Sequence, residues 1–269
     1  MFDPLPPDLV AALSRRGSRL GGFSALRYLA EADSTNDLAL ELAVAGAPEG
    51  TAVLADLQRA GRGRRGRDWF SPPGAGLYLS VVVRPRGPMR ATPFITLAAG
   101  VAAADAVREA TALPVELKWP NDLVVGRPWR KLGGVLSETV ARGGTIDAVV
   151  IGIGINLLQV AYPRDIADRA TSIETELGRP VERAALVVSV LGAMRDVVER
   201  LHAGDHSGIG RDWRRLGGVG LGGTAVRWFD REKERRGRAL DIDDDGALLV
   251  EVGGRVERVI AGEVRWEGL

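Results

Sequence analysis

Residues 51–85 read TAVLADLQ RAGRGRRGRDWFSPPGAG LYLSVVVRP, and this stretch decides the fold. Its two ends carry the β-branched and alternating apolar character of strands. The eighteen residues between them, 59–76, are rich in Gly, Arg and Pro and have no apolar face to bury, so a long loop is expected. Gly61, Gly63 and Gly66 spell G-x-G-x-x-G, but a dinucleotide fingerprint must open a helix whose N-terminus meets the pyrophosphate. Here the chain runs through Pro72-Pro73 into another strand, and neither H-R-D nor D-F-G occurs elsewhere to suggest a kinase. What remains is Arg59, Arg62, Arg64, Arg65 and Arg67 on a glycine-flexible backbone beside Trp69, a clamp for a polyanion or, as the bland alternative, a solvated basic loop.

Working outward, residues 8–16 read as a short helix and 26–30 as a strand, followed by a helix over 36–45. Thr92-Pro93 offers an N-cap and an N1 proline to an Ala-rich helix reaching Ala112. A strand ends at Pro120, runs 131–140 and 146–155 form a hairpin turning at Gly143-Gly144, and helices occupy 182–203 and 207–216. Beyond LGGVGLGG the texture changes to four short strands, TAVRWF, RGRALDID, GALLVEV and RVERVIAG, which read as a small barrel. The expected architecture is α+β: a mixed-sheet domain over 1–221 and a small β-barrel over 222–269, with the boundary at Gly222.

The composition narrows the chemistry. The net charge is +1, so any attraction for a polyanion or membrane must be local. The chain has no cysteine, which removes disulfides, thiolate nucleophiles and zinc ribbons and makes the cytoplasm the default. The longest mostly apolar uncharged run, Ala148–Pro163, is too short and too polar to span a bilayer, and the first residues do not read as a signal peptide. His202 and His206 are the only histidines, which leaves little material for a histidine base.

Several short motifs carry polar groups that a strand or turn does not need. Ser34-Thr35-Asn36 sits between a strand and a helix, where Ser34 and Asp37 fit a capping box and the trio could equally hold a small polar head group. Lys118-Trp119-Pro120-Asn121-Asp122 gathers a cation, an amide and a carboxylate around a proline bend, with Trp119 read as core. Only three of the 36 basic residues are lysines, and two of them, Lys118 and Lys131, fall in such motifs. Arg130-Lys131-Leu132-Gly133-Gly134 puts cations before glycines that allow close backbone approach, either a ligand site or a bulged strand. IGIGIN at 151–156 is a buried strand with room beside its glycines, ending on Asn156, a ligand contact or a turn former. Asp241, Asp243, Asp245 and Gly246 mimic half an EF-hand loop, but Val252 stands where the bidentate Glu is needed, so Asp245-Gly246 reads as a hairpin turn.

The order and wording STN, QRAGRGRRGRDWFSP, KWPND, RKLGG, IGIGIN closely resemble the biotin protein ligases, over residues 33–157. The resemblance implies a catalytic domain related to class II synthetase and lipoate ligase folds, followed by an SH3-like barrel. It implies a magnesium-dependent reaction of biotin with ATP to biotinyl-5'-adenylate, then transfer to a lysine of a carboxylase's biotin carrier domain. By that resemblance Ser34, Thr35, Asn36 and Gln58 hold the ureido ring, with Arg62, Gly63 and Arg64 on the carboxylate side and Gly133 and Gly134 alongside. Arg64, Arg67, Trp69, Asn121 and Asn156 take the nucleotide, Lys131 bridges biotin carboxylate and α-phosphate, Lys118 supports it, and Asp122 orients these groups or the acceptor lysine. No metal ligands are assigned. Members are often dimers, and some carry an N-terminal winged helix; the residues before Ser34 supply only a helix and a strand, so no operator binding is expected. The rivals are a lipoate ligase, whose arginine-serine-glycine string is missing, and a noncatalytic nucleic-acid-binding module using the Arg loop, for which the basic footprint is small.

Overall fold

A computed structural model of the chain describes residues 1–86, 92–230, 233–260 and 264–267. Twelve strands and six α-helices occur among them. In chain order they are α1 (Pro7–Leu20), β1 (Leu26–Ala32), α2 (Thr35–Val44), β2 (Ala52–Gln58), β3 (Gly76–Val83), α3 (Thr92–Thr111), β4 (Glu116–Lys118) and β5 (Asp122–Val125). There follow β6 (Arg130–Arg142), β7 (Thr145–Asn156), α4 (Ile173–Leu177), α5 (Arg183–His202), α6 (His206–Leu216), β8 (Thr224–Asp230), β9 (Lys233–Ile242), β10 (Leu248–Val252), β11 (Arg255–Val259) and β12 (Val264–Trp266). No helix among the described residues is long and apolar enough to cross a membrane.

Seven strands make one mixed sheet in the order β1-β2-β3-β7-β6-β5-β4, in which β1 and β2 are parallel and the remaining neighbours antiparallel. The period of two along β7 sorts its side chains cleanly. Val149, Ile151, Ile153 and Ile155 join a core built with Phe94, Leu97 and Val101 of α3 and Leu186, Val190 and Met194 of α5. Ala-rich α3 suits this layer, because its small side chains let α5 approach closely. The opposite face carries only a small cluster, Val53, Val82, Ala148 and Val150 under Ala39 and Ala43 of α2. Beyond α2 that face is left to Gly152, Gly154 and the loop after β2, so one face is committed to stability and the other is free for a site.

Expectation and structure part at several points. Strands β5, β12 and helix α4 were not foreseen, because each is three to five residues long and too short to show a period. The Arg-Gly loop contains one turn of 3-10 helix, Arg64–Gly66, and an antiparallel bridge between Arg62 and Asp68. The Thr92 cap lies outside the described residues, since it depends on the Thr92 side chain and the residue before it.

The C-terminal strands form an antiparallel sheet in the order β11-β10-β9-β8-β12. It has five strands where four were expected, and it is open: β11 and β12 are its two edges, with no pairing between them among the described residues. Val226, Trp228, Ala239, Leu248, Val250 and Trp266 share the apolar cluster of the large sheet, so the two sheets close on one core. The Trp119 indole N–H, donating to Gly246 O at 3.0 Å, ties the large sheet to the C-terminal one, while the Gly222 and Gly223 N–H groups, donating to Leu240 O and Ala239 O, extend the β8–β9 ladder. Trp119 is core, 2% exposed, as read from the sequence. Asp245-Gly246 is the hairpin turn between β9 and β10, with Gly246 at φ 84°, and the Asp243 and Asp245 carboxylates pair with Arg258.

Candidate active site

The loop-side face of the large sheet carries a chain of neutral hydrogen bonds. Ser34 caps α2, its hydroxyl accepting the Asp37 N–H at 3.3 Å, and this commits it to the helix end. The reciprocal half of the capping box is not made, because the Asp37 carboxylate turns to Arg62 at 2.5 Å. Thr35 donates through its N–H and its hydroxyl to Gln58 Oε1, at 2.9 and 3.0 Å, and Gln58 Nε2 donates to Ser71 Oγ at 2.9 Å. Ser80 Oγ, on β3, lies 2.8 Å from Thr35 Oγ1 and 2.6 Å from Asn36 Oδ1. Asn36 Nδ2 in turn donates to Glu138 Oε2 at 2.7 Å. Thr35, Asn36, Ser71 and Ser80 are all buried, and most buried polar groups are bonded in this way.

The glycines of IGIGIN explain how these groups sit so close to the sheet. A Cβ at Gly152 would lie 2.2 Å from Asn36 Oδ1, and one at Gly154 would lie 2.6 Å from Trp69 Cε2. Each glycine is therefore the seat of one site side chain. The Trp69 indole nitrogen is buried there without a hydrogen-bond partner.

A cationic cluster adjoins the neutral chain. The Lys131 ammonium is 2.6 Å from Asp122 Oδ1 and 5.3 Å from the centre of the Trp69 ring. Gly134 lies beside the ammonium, a Cβ there coming 3.5 Å from Lys131 Nζ in ordinary contact, while Gly133 allows close contact with Gly154 O. Lys118 pairs with Asp122 in the β4–β5 register; burial lowers its pKa below the usual lysine value, the Lys131 and Arg169 charges add to this, and Asp122 opposes it. Arg64 is also depressed, first by burial and then by Arg65, and its guanidinium lies 3.5 Å from Asn121 Oδ1. Asn121 is held from the other side, donating to Val135 O at 2.8 Å. Asn156 is buried, and its amide donates to Thr171 O at 2.9 Å, which makes it a strut between β7 and the following segment rather than an open donor.

Arg62 is bound twice to Glu138, at 2.7 and 3.0 Å, as well as to Asp37. The loop closes on itself through Gly63 N–H to Arg67 O at 2.7 Å, with Arg65 at φ 59° forming its tip beside Gly66. A cavity of about 160 Å³ lined by Arg65, Arg227, Phe229, Glu234 and Arg265 lies between that tip and the C-terminal sheet, away from the Thr35–Gln58 network.

The structure thus gathers Thr35, Asn36, Gln58, Arg62, Arg64, Trp69, Asn121, Asp122 and Lys131 on one face. Ser34 and Asn156 support that face through the cap and the strut. Ser80, Glu138, Gly152 and Gly154 were not among the assigned residues. Ser80 is the lone polar residue in the β3 run LYLSVVV, a signal that was there to read; Glu138 has no counterpart signal, since an acid in a strand usually faces water.

Comparison with known proteins agrees with this arrangement. Residues 28–156 match the biotin/lipoate A/B protein ligase family, and residues 224–265 match the biotin protein ligase C terminal domain. The chain is 35% identical over 233 residues to the bifunctional ligase/repressor BirA of Bacillus subtilis, covering 86% of this chain and 70% of that protein. It is 34% identical over 250 residues to the biotin--[acetyl-CoA-carboxylase] ligase of Mycobacterium tuberculosis, covering 90% and 89%. The biotin protein ligase of Aquifex aeolicus, solved with biotin and ATP, superposes with a TM-score of 0.77 at 28% identity over 90% of this chain and 98% of that one. With the motifs, the sheet and the appended domain all in register, the chain belongs to the biotin protein ligases.

Proposed function

We propose that this enzyme activates biotin with ATP to biotinyl-5'-adenylate and transfers the biotinyl group to a lysine of a carboxylase's biotin carrier domain. The observation that carries this reading is the junction at Trp69, which rests on Gly154 beside the neutral Thr35–Asn36–Gln58 network and presents its ring to the Lys131 ammonium. A neutral, rigid hydrogen-bonding network suits a ureido head group, and an adjoining cationic cluster suits a carboxylate meeting a triphosphate.

In the first step a biotin carboxylate oxygen attacks the α-phosphorus, the bond to the β-phosphate bridging oxygen breaks, and pyrophosphate leaves. The chemistry needs no enzyme nucleophile; it needs positioning and charge neutralisation. Lys131 takes the crowded charge between carboxylate and α-phosphate, with Lys118 and Arg64 adding positive charge in a partly buried setting. Arg67 and Asn121 serve the nucleotide side, and Gly63, Gly133 and Gly134 allow the backbone to come close. In the second step the acceptor lysine's amine attacks the acyl carbon, and AMP leaves. Asp122, between the two lysines, orients them and the incoming amine.

Magnesium enters as part of the nucleotide substrate. Among the described residues no group of three or more His, Cys, Asp or Glu is placed to hold an ion. In this reading residues 1–221 are the catalytic domain and 222–269 the SH3-like appended domain, the partner is a carrier domain rather than DNA or membrane, the enzyme works in the cytoplasm, and it can pair with a second copy. The lack of cysteine and the net charge of +1 support that reading.

The test is incubation of the purified protein with magnesium-ATP and either biotin or lipoate, followed by mass spectrometry. Biotinyl-adenylate alone is the expected product. Lipoyl-adenylate would reassign the head-group pocket, and no adenylate with either acid would overturn the assignment.

A further inference from the structure

We propose that Glu138 is a positioning residue that couples the head-group pocket to the Arg-Gly loop; this rests on the reading of this face as the biotin site. Glu138 lies on β6, on the same sheet face as Gly152 and Gly154, and its carboxylate is half-buried beneath both motifs. One oxygen accepts from Asn36 Nδ2 and from Arg62 Nη2, each at 2.7 Å, and the other accepts from Arg62 Nη1 at 3.0 Å.

The orientation of the Asn36 amide follows from that one group. An ionised carboxylate can only accept, so the Asn36 amide must turn its nitrogen to Glu138 and its oxygen to Ser80. The Ser80 hydroxyl, 2.6 Å away, then has an acceptor in Asn36 Oδ1 and lies 2.8 Å from Thr35 Oγ1, whose own hydroxyl donates to Gln58 Oε1 at 3.0 Å. Arg62 is the entry to the arginine loop, and its fork on Glu138, reinforced by Asp37, fixes where that loop leaves the sheet. Whatever firms up the Asn36–Ser80–Thr35 chain therefore also holds the carboxylate against Arg62, and loosening either end releases the other. Head-group occupancy and loop closure are linked through a single side chain, so the arginines are brought to order where biotin has bound.

Trypsin reads the loop directly, because it cleaves after Arg64, Arg65 and Arg67, and when reclosing is fast the cleavage rate tracks the open population. In ligand-free protein, Glu138→Gln should speed cleavage in the loop. So should Asn36→Ala, although Asn36 is not in the loop and its amide nitrogen reaches Arg62 through Glu138. An increase of about twofold or more is expected, the low end for residues sharing one network. Biotin should protect the wild-type loop and should protect the Glu138→Gln loop less; at the level of kinetics, Glu138→Gln should raise the KM for biotin more than it lowers kcat. Wild-type cleavage rates in Asn36→Ala, or equal protection by biotin in Glu138→Gln, would overturn the coupling. Should Asn36→Ala fail to fold, the isosteric Glu138→Gln decides alone by the protection measurement. If wild-type protein makes no biotinyl-adenylate, the functional reading fails, while the ligand-free cleavage comparison still decides the coupling.

Discussion

Asn36 Oδ1 stands where a side chain at position 152 would begin: a Cβ built on Gly152 comes within 2.2 Å of it. The same relation holds between Trp69 and Gly154, at 2.6 Å, so the alternate glycines of β7 are the floor on which the site is built.

This predicts a contrast between two glycines of the hairpin. Gly152→Ala should push the Asn36 amide off Ser80 and weaken biotin binding by roughly 10-fold or more, with overpacking costing about 1–3 kcal/mol locally. At Gly133 the obstacle is the Gly154 carbonyl, 2.7 Å from the added Cβ, and backbone in a central strand cannot step aside as a side chain can. Gly133→Ala should therefore lower the melting temperature more than Gly152→Ala does. Calorimetric titration with biotin and thermal denaturation of both variants check the pair; equal losses of stability would remove the distinction.

How much of this could be read in advance follows from the range of the interactions. The long elements were legible because periodicity is local: β3, α3, the β6–β7 hairpin and α5 lie where the pattern put them. The Arg-Gly loop was legible as a loop, but its bridge from Arg62 to Asp68 was not, because no period marks a turn closed by Gly63 and Arg67. Glu138 was invisible for a stronger reason: its partners Asn36 and Arg62 are 102 and 76 residues away in sequence. The small barrel was read from strand spacing, which does not say whether the edges meet; among the described residues β11 and β12 do not pair.

Lys131 and Asp122 form an ion pair at 2.6 Å, and the two partners should behave differently when removed. Lys131→Ala deletes the charge that neutralises carboxylate and α-phosphate and should cut adenylate formation by roughly 10² or more. Asp122→Asn leaves the lysine in place and removes only the partner that orients it, so a smaller loss, about tenfold, is expected in the same step. Single-turnover measurement of adenylate formation separates the two, and comparable activity in Lys131→Ala and wild type would take Lys131 out of the site.

Arg64 is a half-buried cation, and among the described residues its one hydrogen bond is the long contact to Asn121. Nothing in the fold depends on it, so Arg64→Ala should melt at or above the wild-type temperature. The bound adenylate should escape faster by about tenfold or more, since a charge-assisted contact to an anion is worth about 1.5–3 kcal/mol. Retention of radiolabelled adenylate after gel filtration measures this directly, and an unchanged escape rate would assign the clamp to another arginine.

Lys118 ties the site to the stability of the fold through pH. Burial lowers its pKa, with the nearby Lys131 and Arg169 charges contributing, so between that lowered value and the ordinary lysine value of 10.5 the folded protein carries fewer protons at this position than the unfolded chain does. Stability then rises with pH across that window, and below it the full penalty of holding a charged, partly buried lysine is present. Lys118→Met removes the penalty: the variant should melt higher than wild type at neutral pH, and its advantage should shrink as pH climbs through the window. It should also lose adenylation rate by about tenfold, because the charge that strains the empty fold is the charge that a triphosphate neutralises. ATP binding should accordingly be accompanied by proton uptake in wild type near the top of the window and not in Lys118→Met, which titration calorimetry in buffers of different ionisation enthalpy resolves. A variant less stable than wild type at neutral pH would show that the lysine's bonds to its surroundings outweigh its desolvation.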